Sequence, residues 1–109
     1  MIAAFLAVPA LALAHHGWSE YDSSRLLKLT GKVVESGYEH PHGHIRLQAA
    51  DKVWSVVLAP PSRMEYRGLS KAMLQPGATA TVEGYANRSK PEEVRAERIT
   101  VQGKTVELR

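Results

Sequence analysis

Leu27-Lys28-Leu29-Thr30-Gly31-Lys32-Val33 is the stretch on which the fold turns. Leu27, Leu29, Gly31 and Val33 fall on one side of an extended chain, and Lys28, Thr30 and Lys32 fall on the other. A period of two is that of a half-buried strand, not of a helix. A glycine inside such a strand marks a bulge or a sharp coil. Further along, His44-Ile45-Arg46-Leu47-Gln48 alternates again, with Ile45 and Leu47 inward. Asp51-Lys52 turns the chain into Val53–Leu58, where Trp54, Val56 and Leu58 share a face and Trp54 reads as core. Three antiparallel strands in a meander are expected.

Pro60-Pro61 ends the third strand, since neither proline has an N–H to give to a ladder. Ser62-Arg63-Met64-Glu65 has the form of a capping box, so helical turns are expected from Arg63 to about Leu74. They are interrupted near Gly68, with Ser70 opening a second short piece, and Pro76-Gly77 stops them. Ala78–Ala86 alternates as a fourth strand. Arg95–Val101 and Lys104–Leu108 form a hairpin around Gln102-Gly103. The expectation is a mainly β protein: a small OB-like barrel of five to six strands with one short interrupted helix between strands 3 and 4. An open β-sandwich would have the same strand count.

Composition narrows the function. The chain has 109 residues, 44% hydrophobic and 23% charged, which is one globular domain and too apolar for disorder. It has no cysteine, which excludes a disulfide scaffold, a thiolate metal site and a thiol nucleophile. The formal charge of +3 is too small to imply nucleic acid. The few aromatic residues do not make a stacking platform along a basic groove, so no nucleic-acid partner is expected. There is no P-loop, no His-Glu-x-x-His and no nucleophile elbow.

Residues 1–14 are uncharged and end in Ala12-Leu13-Ala14, the small-x-small pattern of a signal-peptidase site. As a helix they would span about 21 Å, short of the roughly 30 Å hydrocarbon core, so a stable membrane anchor is not expected. The segment lacks a basic start, as an incomplete signal peptide would. The expected division is a signal peptide at 1–14, an N-terminal arm at 15–26 docked by Trp18 and Tyr21, and the barrel at 27–109. The expected location is the periplasm or the cell exterior.

The five histidines occupy two places only: His15-His16, and His40-Pro41-His42-Gly43-His44. In an extended run, residues i, i+2 and i+4 share a face, so His40, His42 and His44 would point the same way. Cleavage after Ala14 makes His15 the N-terminus, where its α-amine and imidazole can chelate one ion and a third nitrogen can complete the set. His16 offers a competing geometry. This opening resembles the histidine brace of lytic polysaccharide monooxygenases and of small periplasmic copper carriers. Nitrogen donors without thiolate favour Cu(II), with Ni(II) and Zn(II) behind. Glu20, Asp22 and Glu39 lie near the clusters and read as surface charge or as partners of ring N–H groups. Arg63, Arg67, Arg88 and Arg95 read as a solvated rim, with an anion cleft as the sharper alternative.

His15-His16-Gly17-Trp18, Tyr21-Asp22, Thr30-Gly31-Lys32-Val33, His40-Pro41-His42, Pro76-Gly77 and Val82-Glu83-Gly84-Tyr85 together resemble an uncharacterised family of small exported bacterial proteins. The resemblance spans nearly all of 15–108. It implies export and a compact domain, and it brings no activity with it. Family members typically carry Asn before the Pro-His step, where this chain has His40. That leaves His15, His16 and His42 as the shared donors. The function expected from the sequence is a small exported protein binding a divalent metal through His15, His42 and His16 or His44. The alternatives are a metal-free module docking an envelope protein or a glycan, and a copper oxidase or oxygenase. No general acid or base is evident, which places binding ahead of catalysis.

Overall fold

The computed structural model describes residues 17–109. The segment 1–14, His15 and His16 lie outside the described residues. A single 3-10 turn, Trp18–Glu20, leads into β1 (Tyr21–Gly37), β2 (His44–Ala49) and β3 (Lys52–Val57). Helix α1 (Pro61–Tyr66) and a 3-10 turn (Lys71–Leu74) follow, then β4 (Thr79–Asn87), β5 (Glu93–Val101) and β6 (Lys104–Glu107). The sheet order is β3-β2-β1-β4-β5-β6, and a parallel pairing of β3 with β5 closes it into a ring. Mostly antiparallel strands joined in the cyclic order 1-2-3-5-4 form an OB-like barrel, as the alternation predicted.

β1 makes the closure possible because it serves two neighbours. Leu26–Lys32 pair with β4, and Lys32–Gly37 pair with β2, with a bulge between Val33 and Glu35. Gly31 stands at the changeover. A Cβ there would lie 2.0 Å from the Gln48 carbonyl oxygen, so only glycine allows β1 to coil this closely over the end of β2. The bulge expected from this stretch therefore lies two to three residues later, and Gly31 supplies the close approach. At the β5–β6 hairpin, Gln102 and Gly103 both have positive φ, 53° and 77°, as a two-residue turn matched to strand twist requires.

The inward residues of the alternating runs form one core. Val33, Ile45, Leu47, Val56, Val82, Val94 and Ile99 are all essentially inaccessible. Met64 of α1, with Leu69 and Leu74 after it, joins that core. The Tyr38 hydroxyl donates to the Leu69 carbonyl at 2.5 Å and fixes this connection to the end of β1. The outer face of β1, β4, β5 and β6 carries cross-strand rows. Thr30 pairs with Thr81 and Thr100 with Thr105 through hydroxyl hydrogen bonds of 2.9 and 2.8 Å. Beside them Arg98 bridges Glu83 and Glu107, each at 2.9 Å.

Three local expectations are corrected. β1 starts at Tyr21, not Leu27, because residues 21–26 extend outside the alternating pattern and Tyr21 pairs with Asn87. Ser62 is not an N-cap: α1 begins at Pro61 with Pro60 as its cap, and no side chain bonds to the helix start. A proline in the first turn has no N–H needing a cap, so the helix opens earlier than the Ser-x-x-Glu pattern implied. Trp54 is only half-buried, lying at the barrel rim with Lys52 over its ring.

Candidate functional site

The outer face over the β3–β5 seam gathers the most varied side chains. In the parallel pairing, Ser55, Val56 and Val57 register with Glu93, Val94 and Arg95. Val56 and Val94 face the core, which turns Glu93 and Arg95 outward together. The Tyr21 hydroxyl, at the start of β1, donates to Glu93 Oε2 at 2.5 Å, and Asn87 Nδ2 donates to the same oxygen at 3.2 Å. Burial first, and then the Glu93 carboxylate, push the Tyr21 phenol well above its ordinary value. Burial also pulls the Arg95 guanidinium down from its usual value, with Tyr21 opposing the shift.

The N-terminal arm closes over this face. Arg95 stacks on the Trp18 ring at 4.4 Å, and Arg109 stacks on it at the same distance. Tyr85 meets Trp18 edge-on at 6.2 Å, and Tyr21 lies 6.5 Å away. Arg88 donates its backbone N–H to the Glu20 carbonyl at 2.9 Å and its Nε to the Ser19 carbonyl at 3.1 Å. Trp18 and Tyr21 thus dock the arm, as the sequence led us to expect.

His42 reaches the same place from the β1–β2 connection. Its Nε2 lies 3.5 Å from an Arg95 guanidinium nitrogen. It lines a small cavity with Glu20, Tyr21, Val57, Lys90, Glu93 and Arg95. His44 does not line that cavity; it pairs with Val57, and its ring lies over Gly37 beside the Glu39 carboxylate, where a Cβ on Gly37 would meet both. His40 is exposed and joined to Pro41 by a cis peptide bond. Strand geometry begins only at His44, and bends at His40 and Pro41 break the alternation that would have put three rings on one face. Among the described residues no three His, Asp or Glu side chains are grouped to hold a metal ion.

Of the carboxylates singled out by sequence, Glu20 lines the His42 cavity, Glu39 neighbours His44, and Asp22 accepts from Ser24 instead. The arginines do not form one cleft. Arg63 and Arg67 donate to the carbonyls of Leu108 and Glu107 at 3.0 and 2.7 Å. Arg88 holds the arm, and Arg95 alone reaches the histidine. Sequence reading missed the Tyr21–Glu93–Arg95 group. Its one signal is that Glu93 and Arg95 are two apart on a strand, with Val94 between them.

Fold and site together define a small OB-like barrel with a polar, aromatic-clamped cluster on its outer seam. The chain belongs to the family of unknown function DUF6152, whose model matches residues 4–95. Its fold is also similar to part of the protein in the crystal structure of the TiaS-tRNA(Ile2)-ATP complex, with a TM-score of 0.53 at 21% identity. That match covers 78% of this chain and 19% of the other, so the likeness is one of fold. No curated protein matches the sequence. Among the described residues, no helix is long and apolar enough to cross a membrane.

Proposed function

We propose that this chain is an exported protein, cut after Ala14, that binds a divalent metal ion, Cu(II) by preference, through His15 and His42. The observation that carries the reading is the clamp on Trp18. Arg95 both stacks on the indole and lies beside the His42 ring. His15 is three residues before Trp18, so chain geometry keeps its Cα within about 11 Å of that of the clamped residue. His42 is the described imidazole that lines the Arg95 cavity, and neither His44 nor His40 is among its lining residues. The α-amine and imidazole of His15 with the ring of His42 supply three nitrogens, a donor set that suits Cu(II) above Zn(II) or Ni(II). His16 is the alternative donor beside it.

The test is a Cu(II) titration of protein that begins at His15. The expected result is one tight equivalent, weakened at least tenfold by His42→Ala and much less by His40→Ala or His44→Ala. Trp18→Ala, which removes the clamp and keeps every proposed ligand nitrogen, should weaken binding to an intermediate degree. Equal affinity in the wild type and His42→Ala would exclude the seam as the metal site.

A further inference from the structure

A second surface has its own chemistry and stands apart from the copper reading. β1 pairs with β4 from Leu26 to Lys32, but with β2 only from Lys32 onward. Between Leu26 and Gly31 its other edge therefore has no described strand beside it. Val33 donates to the Ala78 carbonyl at 2.9 Å and accepts from the Gly77 N–H at 2.7 Å, both toward β4. Alternation along the strand turns the backbone groups of Gly31 and Leu29 the same way, and those of Thr30 and Lys28 toward the open edge.

That edge borders a groove. Its far wall is the β2–β3 turn at Ala50 and Asp51, the start of β3 at Lys52, and the loop from Arg88 to Pro91. Leu27, Leu29 and Trp54 make an apolar floor, and four cations, Arg25, Lys28, Lys52 and Arg88, surround it. Asp51 is the one carboxylate among the lining residues. Asp22 stands outside the lining, near enough to Arg25 and Arg88 to feel both charges. Lys52 holds its ammonium 3.8 Å above the Trp54 ring and donates to the Pro91 carbonyl at 3.2 Å.

We propose that this groove takes a short, extended, acidic peptide segment of a partner protein, which adds to the free edge of β1 as another strand. Backbone donors and acceptors at Lys28 and Thr30 give the pairing, and the apolar floor takes alternate side chains. The four cations meet carboxylates on the others. A lone lysine on an open edge serves only to keep other strands away. Four cations around an apolar floor instead define the charge of what is admitted. Stacked bases or sugar rings fit less well, because the aromatic ring in the groove already carries the Lys52 ammonium.

The experiment uses fluorescence anisotropy on the whole protein, with a labelled ten-residue peptide of alternating Glu and Val. Saturable binding is expected, weakened at least tenfold when every second peptide amide is N-methylated, a change that keeps the charge and removes strand pairing. The double variant Arg25→Glu/Lys28→Glu, at two exposed positions, should weaken it by at least as much. In the complex, the amides of Lys28 and Thr30 should gain protection from hydrogen exchange. Equal binding of the methylated peptide would overturn the proposal, as would tighter binding of an oligogalacturonate or of oligo-dT, or no saturable binding of the peptide. Should the double variant not fold, the methylated and unmethylated peptides on the wild type still decide the matter.

Discussion

The two faces of β5 differ in what holds them. Inward, Val94, Ala96, Ile99 and Val101 are sealed in the barrel by the neighbouring strands. Outward, Glu93 and Arg95 are held by residues far along the chain: Tyr21 at the start of β1, Trp18 in the arm and His42 before β2. The inner face is interchangeable apolar packing that any well-shaped set of aliphatic side chains can supply. The outer face is a set of specific partners, and each loses its role when its neighbour is changed. Apolar packing therefore lies on one side of the strand and specific polar contacts on the other.

The sharpest way to break that contrast is to cut into both faces. Ile99→Ala removes a fully buried side chain and should cost about 2–5 kcal/mol in denaturant unfolding, with Cu(II) affinity of the folded fraction retained. A metal-binding loss as large as that of His42→Ala would show that the two faces are not separable. Tyr21→Phe should act less on stability at neutral pH and should change its pH dependence. The native state holds the Tyr21 phenol protonated to higher pH than the unfolded chain does, so it binds more protons as pH rises past about 10. Its contribution is complete below that pH and is lost as pH climbs toward the raised native value. Alkaline unfolding followed by circular dichroism should show a steeper fall for the wild type than for Tyr21→Phe, and parallel curves would count against the buried phenol. The smallest effect belongs to Ser62→Ala. With α1 opening at Pro61, the change should stay within about 0.5 kcal/mol in thermal melts, whereas loss of a true N-cap would cost about 1 kcal/mol.

Most of the barrel was legible because period-two burial is a local property. Leu27 to Val33, Ile45 and Leu47, and Val56 and Leu58 announce their faces without any partner, and Gln102-Gly103 announces its turn. Residues 21–26 were not legible as strand: Ser23, Ser24 and Arg25 are solvent-facing there, and only Tyr21 and Leu26 pair with β4, across a register shift. The Ser62–Glu65 pattern misled because the helix starts at Pro61, two residues before the expected Arg63. The candidate site was legible in its histidines and not in its arrangement. Bends at His40 and Pro41 interrupt the strand spacing that would have aligned the three rings, and Tyr21 lies 72 residues from Glu93 in sequence. No local pattern records a contact of that span.

The central claim is that the outer seam is completed by the chain's own N-terminus, and a one-residue extension tests it most directly. Protein beginning at His15 is compared with the same chain carrying one additional residue before His15. All five imidazoles and the Trp18 clamp remain in both, and only the α-amine is moved out of the His15 chelate. The account predicts at least a tenfold loss of Cu(II) affinity in the extended protein, about 1.4 kcal/mol, together with an altered EPR spectrum. Identical affinities and identical spectra would contradict it.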